Sequence, residues 1–196
     1  MKQCFTLLLF LLLAGQAFGQ QDQSSKLASL MATAQQAQAA NNYAAAAAAY
    51  QKAVKIRPDI PELWANLGLM QHESGDYVEA IRSFQQAIRL KPSLYVPNLF
   101  LGIDYVQTGK TREAIPLLMK AEKMNAGDAL PSLTLAHAYS SLGEHALAIR
   151  EFHRAIRLDP NQSSAWFDLG IAQLDEVEED ARVMAAKDAN TSYAKA

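Results

Sequence analysis

A phrase that returns every 34 residues constrains the fold of this 196-residue chain more than any other feature of its sequence. A leucine followed by a small residue returns at this spacing, and so do a glycine and an alanine downstream of it. A fixed period with large, small and turn residues at matched positions is typical of stacked helical repeats. The matched positions are Leu67-Gly68, Leu101-Gly102, Leu135-Ala136 and Leu169-Gly170, then Gly75, Gly109 and Gly143, then Ala80, Ala114 and Ala148.

Each repeat predicts a pair of helices. In the second unit, apolar residues at helical spacing run over residues 63–73 and stop at Gly75, which can adopt the left-handed conformation that ends a helix. Asp76 and Glu79 have capping-box spacing at the start of the next helix, which carries one apolar stripe and ends before Pro92. Neither helix could bury its stripe alone, so the predicted fold class is all-α, a solenoid of stacked antiparallel helix pairs.

This pattern resembles the tetratricopeptide repeat family. The first unit departs from the family at Leu30, where tryptophan is usual, and at Asn41-Asn42, which replace the glycine turn. The resemblance covers residues 27–175 and implies a right-handed α-solenoid with units that begin near residues 27, 61, 95 and 129 and a partial unit from 163. The residues that carry it in the second unit are Trp64, Leu67, Gly68, Ala80, Phe84, Ala87 and Pro92.

Residues 1–19 have the features of a secretory signal peptide: a basic residue at Lys2, an apolar segment over 5–13 and a small-x-small site that ends at Gly19. We therefore expect cleavage after Gly19, a disordered leader over 20–26 and a secreted or periplasmic mature chain. The alternative is an uncleaved membrane anchor, although the apolar segment is short for a membrane span. The single cysteine, Cys4, lies in this segment, so the mature chain would form no disulfide.

Residues 176–196 follow the last matched helix, and no glycine turn precedes them. They predict either a capping helix with a polar tail or a stop inside a longer array. Because repeat arrays normally need a polar terminal unit for solubility, the cap is favoured.

The residues show no catalytic constellation. There is no phosphate-binding glycine loop and no nucleophile elbow, and His145 and His153 are about two helical turns apart, too far to share a metal ion. We expect no enzyme activity, no cofactor and no metal. The mature chain would have 17 basic and 20 acidic residues, which gives no electrostatic reason to bind nucleic acid, and it would not be held at a membrane.

The family resemblance implies that one face of each first helix, opposite its packing phrase, lines a concave groove that holds a partner. In the third unit this helix is apolar on both faces, so the second face is covered either by a partner or by the neighbouring units as ordinary core. The equivalent positions of the fifth unit include Ile171 and Leu174. The predicted partner-contacting residues are Leu69, His72, Val96, Leu99, Ile103, Val106, Leu130, Leu133, His137 and Phe167.

The sequence thus predicts a non-enzymatic scaffold or adaptor of the cell envelope that binds an apolar peptide segment of another protein. Apolar residues occupy the positions where family members that clamp a terminal carboxylate have basic and amide side chains, which argues against that ligand. The alternative is a recruitment or sensor arm of a larger enzyme or envelope-assembly complex. A stand-alone hydrolase is a third, weaker interpretation, because the short linkers leave no loop for an active site. The partner's identity and the oligomeric state are left open.

Overall fold

The computed structural model describes the backbone of residues 2–193 and the side chains of residues 21–184. Within that backbone every regular element is a helix. The helices are α1 (Lys2–Ala39), α2 (Tyr43–Ile56), α3 (Pro61–Glu73), α4 (Tyr77–Leu90), α5 (Tyr95–Gln107), α6 (Thr111–Met124), α7 (Leu130–Ser141), α8 (His145–Leu158) and α9 (Ser163–Tyr193).

The two helices of each pair are joined by a turn at a residue with left-handed backbone. Gly75, Gly109 and Gly143 have φ values of 81°, 76° and 75°, and Asn41 takes the same role in the first pair with φ of 55°. In all four turns the next residue donates its N–H to the carbonyl five residues back, which satisfies the end of the preceding helix. The predicted turns, including the asparagine turn, are confirmed.

The chain divides into two compact units, Met1–Pro92 and Ser93–Ala196. In Met1–Pro92, α1 packs on α2, α2 on α3 and α3 on α4. Ala34 of α1, Tyr50 and Ala53 of α2, and Leu67 of α3 form its core. Burial raises the pKa of Tyr50, whose side chain also hydrogen-bonds Asn66.

In Ser93–Ala196, consecutive helices from α5 to α9 contact one another. Its core combines apolar residues with one buried polar group that links three helices. Glu122 of α6 accepts a hydrogen bond from Ser132 of α7 at 3.0 Å and pairs with Arg154 of α8 at 2.8 Å. The stacked helix pairs of the predicted all-α class are therefore present in each unit.

Three local predictions differ from the structure. Residues 20–26, predicted to be disordered, lie within α1, because no glycine or proline interrupts the helix between Gly19 and Asn41. The capping box of α4 is not formed: Asp76 makes no side-chain cap hydrogen bond, and Glu79 pairs with Arg82 instead. The third difference is the length of α9, which runs unbroken through residues 163–193 because position 177, where earlier units have glycine, is a valine.

The side chains of residues 1–20 and 185–196 lie outside the described part of the structure. The signal peptide over 1–19 therefore remains a prediction, as does the end of the polar tail.

Candidate functional site

Two of the residues predicted to line an open groove belong to the core instead. Leu99 of α5 and Leu133 of α7 are only 2% and 7% exposed, and both lie in the apolar cluster that contains Leu118, Leu135 and Phe152. The reason is that the first helices α5 and α7 contact each other, so the side chain at this repeat position is covered by the next unit. Of the two interpretations that the sequence left open, ordinary core is correct for these positions.

The same repeat position is open at the end of the array. Phe167 of α9 stands 34 residues after Leu133, yet it is 70% exposed. No further first helix lies beside α9 in the described residues, so nothing covers this side chain as α7 covers Leu99. Ile171 and Leu174, on the same side of α9, are also exposed.

The other predicted residues of Ser93–Ala196 form a partly open apolar surface. Val96, Ile103 and Val106 of α5 are half-buried, and Ile103 and Val106 pack against the core of the unit. Leu130, at the start of α7, is exposed.

His137 supplies a polar group on this surface. Its Nε2 lies 3.0 Å from Oδ2 of Asp168, which joins α7 to α9, and its ring meets the edge of the Phe152 ring at a centroid distance of 5.4 Å. His137 was predicted from the sequence, whereas Asp168 was not. Periodicity shows which face of a helix a residue occupies, but it does not show which residue of a neighbouring helix lies opposite.

In Met1–Pro92, the two predicted residues lie on α3. Leu69 is half-buried and packs against the core of this unit. The ring of His72 contacts the ring of Tyr77 edge-on at 5.5 Å.

Trp166 stands at the repeat position of Trp64, three periods later in the chain, and its side chain is exposed. Its indole Nε1 donates to the carbonyl of Pro160 at 3.1 Å, as Nε1 of Trp64 does to the carbonyl of Pro58 at 2.8 Å. The local geometry of the repeat is therefore kept in α9, while the apolar face around Trp166 is left uncovered.

Within residues 21–184, no group of three or more His, Cys, Asp or Glu side chains is placed to hold a metal ion. The largest pKa changes lie at structural pairs: the Arg57 hydrogen bond lowers the pKa of Asp59 to about 2, while burial and then Asp128 raise that of Tyr95. In the part of the chain that was described, no helix is both long and apolar enough to cross a membrane.

Solved structures with the same fold include the MamA protein, with a TM-score of 0.75 and 24% sequence identity over 84% of this chain and 90% of that one. The MamA protein of Desulfovibrio magneticus RS-1, from residue 41 to its end, gives a TM-score of 0.73 and 20% identity over 83% and 90% of the two chains. YrrB, described as a TPR protein with an unusual peptide-binding site, gives 0.66 and 20% over 75% and 76%. At these identities the likeness shows the fold.

None of the curated proteins is significantly similar to this chain. Two family models, both described as tetratricopeptide repeat, match residues 31–94 and 105–174. Together they cover more than half of the chain, and they contain the whole of α2, α3 and α4 and the whole of α6, α7 and α8. The chain therefore belongs to the tetratricopeptide repeat family, whose arrays serve as scaffolds for contacts between proteins.

Proposed function

We propose that this chain is a non-enzymatic adaptor of the cell envelope that binds an apolar segment of another protein along one face of Ser93–Ala196. We call this surface the first-helix face. It consists of Val96, Ile103, Val106, Leu130, His137, Phe167 and Ile171.

The observation that carries the proposal is that the apolar side chains of this face become more exposed from α5 towards α9. Ile103 is half-buried, whereas Phe167 and Ile171 are open to solvent. Contiguous exposed apolar residues on a protein surface mark sites of contact with other molecules. An apolar peptide that covers them removes this area from water.

The pair of His137 and Asp168 is the polar group of this face, and it would fix the orientation of a bound segment. Asp168 is mostly covered, and its Oδ2 is 3.0 Å from the exposed imidazole of His137. A peptide N–H or carbonyl that lies across α7 and α9 would find a donor and an acceptor side by side, which suits the backbone of a bound segment.

The affinity expected of such a site is modest. Each buried leucine-sized side chain contributes about 1.5–3 kcal/mol, and ordering the segment and losing its free motion offset much of the sum. A few anchors on this face therefore suggest micromolar binding, which fits an adaptor that exchanges its clients.

The location in the cell envelope rests on residues 1–19, which have the basic flank, apolar segment and small residues of an export signal. The peptide-binding site named for YrrB supports the kind of ligand proposed here, because both chains share the fold.

To test the proposal, the full chain would be immobilised and exposed to an envelope extract, next to the variant Ile103→Gln, Phe167→Gln. We expect at least one captured protein to be lost with the variant, since two apolar anchors become polar. The matched control is Met119→Gln, an exposed apolar residue on α6. Equal helical circular dichroism of the three chains shows that the fold is kept, and equal recovery by all three would refute the proposed face.

A further inference from the structure

Among the described residues, no second helix pairs with the first helix α9. Each of α3, α5 and α7 is followed by a turn and packs against the next helix, α4, α6 or α8. α9 packs against α8 and continues without a turn to Tyr193. The face of α9 that corresponds to the paired face of α3 is therefore uncovered.

A glycine on that face marks the position where a second helix would pack. A Cβ built on Gly68 of α3 would lie 2.6 Å from the Phe84 ring of α4, and one on Gly102 of α5 would lie 2.7 Å from the Leu118 side chain of α6. In both pairs the glycine lets a large apolar side chain of the second helix approach the backbone of the first. A Cβ built on Gly170 of α9 would meet no described atom within 4 Å outside the backbone of its own helix, so the same notch is empty.

Apolar residues extend the notch along the helix. We call Trp166, Gly170, Gln173, Val177 and Met184 the α9 stripe, because their spacing places them on one side of the helix. Its three large apolar members are each more than half exposed. The hydrogen bond of Trp166 to Pro160 repeats that of Trp64 to Pro58, so the stripe keeps the geometry of a first helix that is ready to pair.

The charges of the helices indicate what kind of helix would fit. The described side chains of α9, residues 163–184, include six acidic residues and one basic residue, a net charge of −5. The second helices of this chain are all basic: α2, α4, α6 and α8 have net charges of +2, +1, +1 and +2. Among the acidic residues of α9, Glu176 and Asp180 lie beside the stripe by helical spacing, so a basic helix that docks there would be attracted to them.

We propose that the α9 stripe is a docking site for a basic amphipathic helix of another protein. This helix pairs with α9 as α4 pairs with α3 and seats a phenylalanine or leucine against Gly170. The site is separate from the first-helix face and does not depend on it. It makes α9 an attachment point for a second protein.

A second copy of this chain fits the stripe less well. Its basic second helices are each packed against first helices of their own unit, so they are not free to pair with α9. Two α9 helices paired through their stripes would bring Glu176 and Asp180 of one copy near the same acidic residues of the other, which is unfavourable. Trp166, the large aromatic residue of the stripe, is held by its own hydrogen bond to Pro160.

The probe for the test is a fluorescein-labelled peptide with the sequence of α8, residues 145–158, which is basic and carries Phe152. Its binding to the full chain would be followed by fluorescence anisotropy. We expect Gly170→Gln to weaken binding at least tenfold, because the longer side chain fills the notch. The substitution itself meets open space, and glutamine favours a helix more than glycine does, so the fold is kept.

The matched control is Ser164→Gln. It introduces the same glutamine side chain on the opposite side of α9 and should leave binding of the peptide unchanged. A peptide with Phe152→Ala should bind at least tenfold more weakly to the unchanged chain. The variant Ile103→Gln, which alters the first-helix face, should bind the peptide normally. The test of the α9 stripe is therefore independent of whether the first-helix face binds a partner.

Equal binding of the peptide by the Gly170→Gln chain and the unchanged chain would overturn the docking site. Dimerisation of the chain that is lost with Gly170→Gln would show that the occupant is a second copy, which also overturns the proposal.

Discussion

The glycines of the repeat show how one residue meets different demands at matched positions. Gly75, Gly109 and Gly143 are needed for their left-handed backbone, and Asn41 adopts it as well because its short polar side chain tolerates the strain. Gly68 is helical and is needed for space, since the Phe84 ring occupies the volume of a Cβ. Gly170 is helical and has open space around it, so in the isolated chain it only adds flexibility.

This difference predicts opposite effects of the same substitution. Gly68→Ala should lower the free energy of unfolding by about 1–3 kcal/mol, because the fully buried Phe84 ring has to move. Gly170→Ala should raise it by up to about 1 kcal/mol, because alanine favours a helix and meets no atom. Urea denaturation of the two variants beside the unchanged chain measures both values, and a stabilising effect at Gly68 would contradict the packing described here.

Among the helices, the second helix α6 is unusual because it has a proline in its interior. Pro116 lies in its interior, where proline removes the N–H that would bond to the carbonyl of Arg112. The side chain of Pro116 is exposed, so it contributes little to the core. Packing of α6 through Ala114, Leu118 and Ala121 keeps the helix in place in spite of the proline.

We expect Pro116→Ala to stabilise the chain by about 2–3 kcal/mol. An interior proline costs a helix about 3 kcal/mol, and its restriction of the unfolded chain offsets up to about 1 kcal/mol of that cost. Pro61→Ala is the control, because Pro61 is the first residue of α3, where an N–H would have no partner within the helix. The thermal midpoint should rise for Pro116→Ala alone, and a similar rise for both variants would argue against the missing hydrogen bond as the cause.

At the scale of the whole molecule, each of the units Met1–Pro92 and Ser93–Ala196 has its own apolar core. Among the residues with described side chains, the core contacts of α1 begin at Leu27 and continue through Ala34 to Ala37. The first nineteen residues, which carry the proposed export signal, lie before all of these contacts.

Two results are therefore expected when the chain is produced with its first nineteen residues in an exporting bacterial host. Amino-terminal sequencing of the exported protein should begin at Gln20, since the small residues Ala17 and Gly19 form the cleavage site. The thermal midpoint of that protein should equal that of a chain produced from Gln20 onward in the cytoplasm. An exported chain that still begins at Met1 would favour the membrane-anchor alternative.

The 34-residue period by itself determined the helix pairs, their turns and the starts of α3, α5 and α9, because these depend on residues close together in the chain. It placed a turn at Asn41-Asn42 for the same reason, and the structure shows that Asn41 is the left-handed residue. Only the tertiary structure decided which apolar faces are open. Leu99, Leu133 and Phe167 are matched residues in the sequence, yet the first two are buried and the third is exposed. The physical reason is that burial depends on whether another helix lies alongside, and a local pattern does not contain that contact.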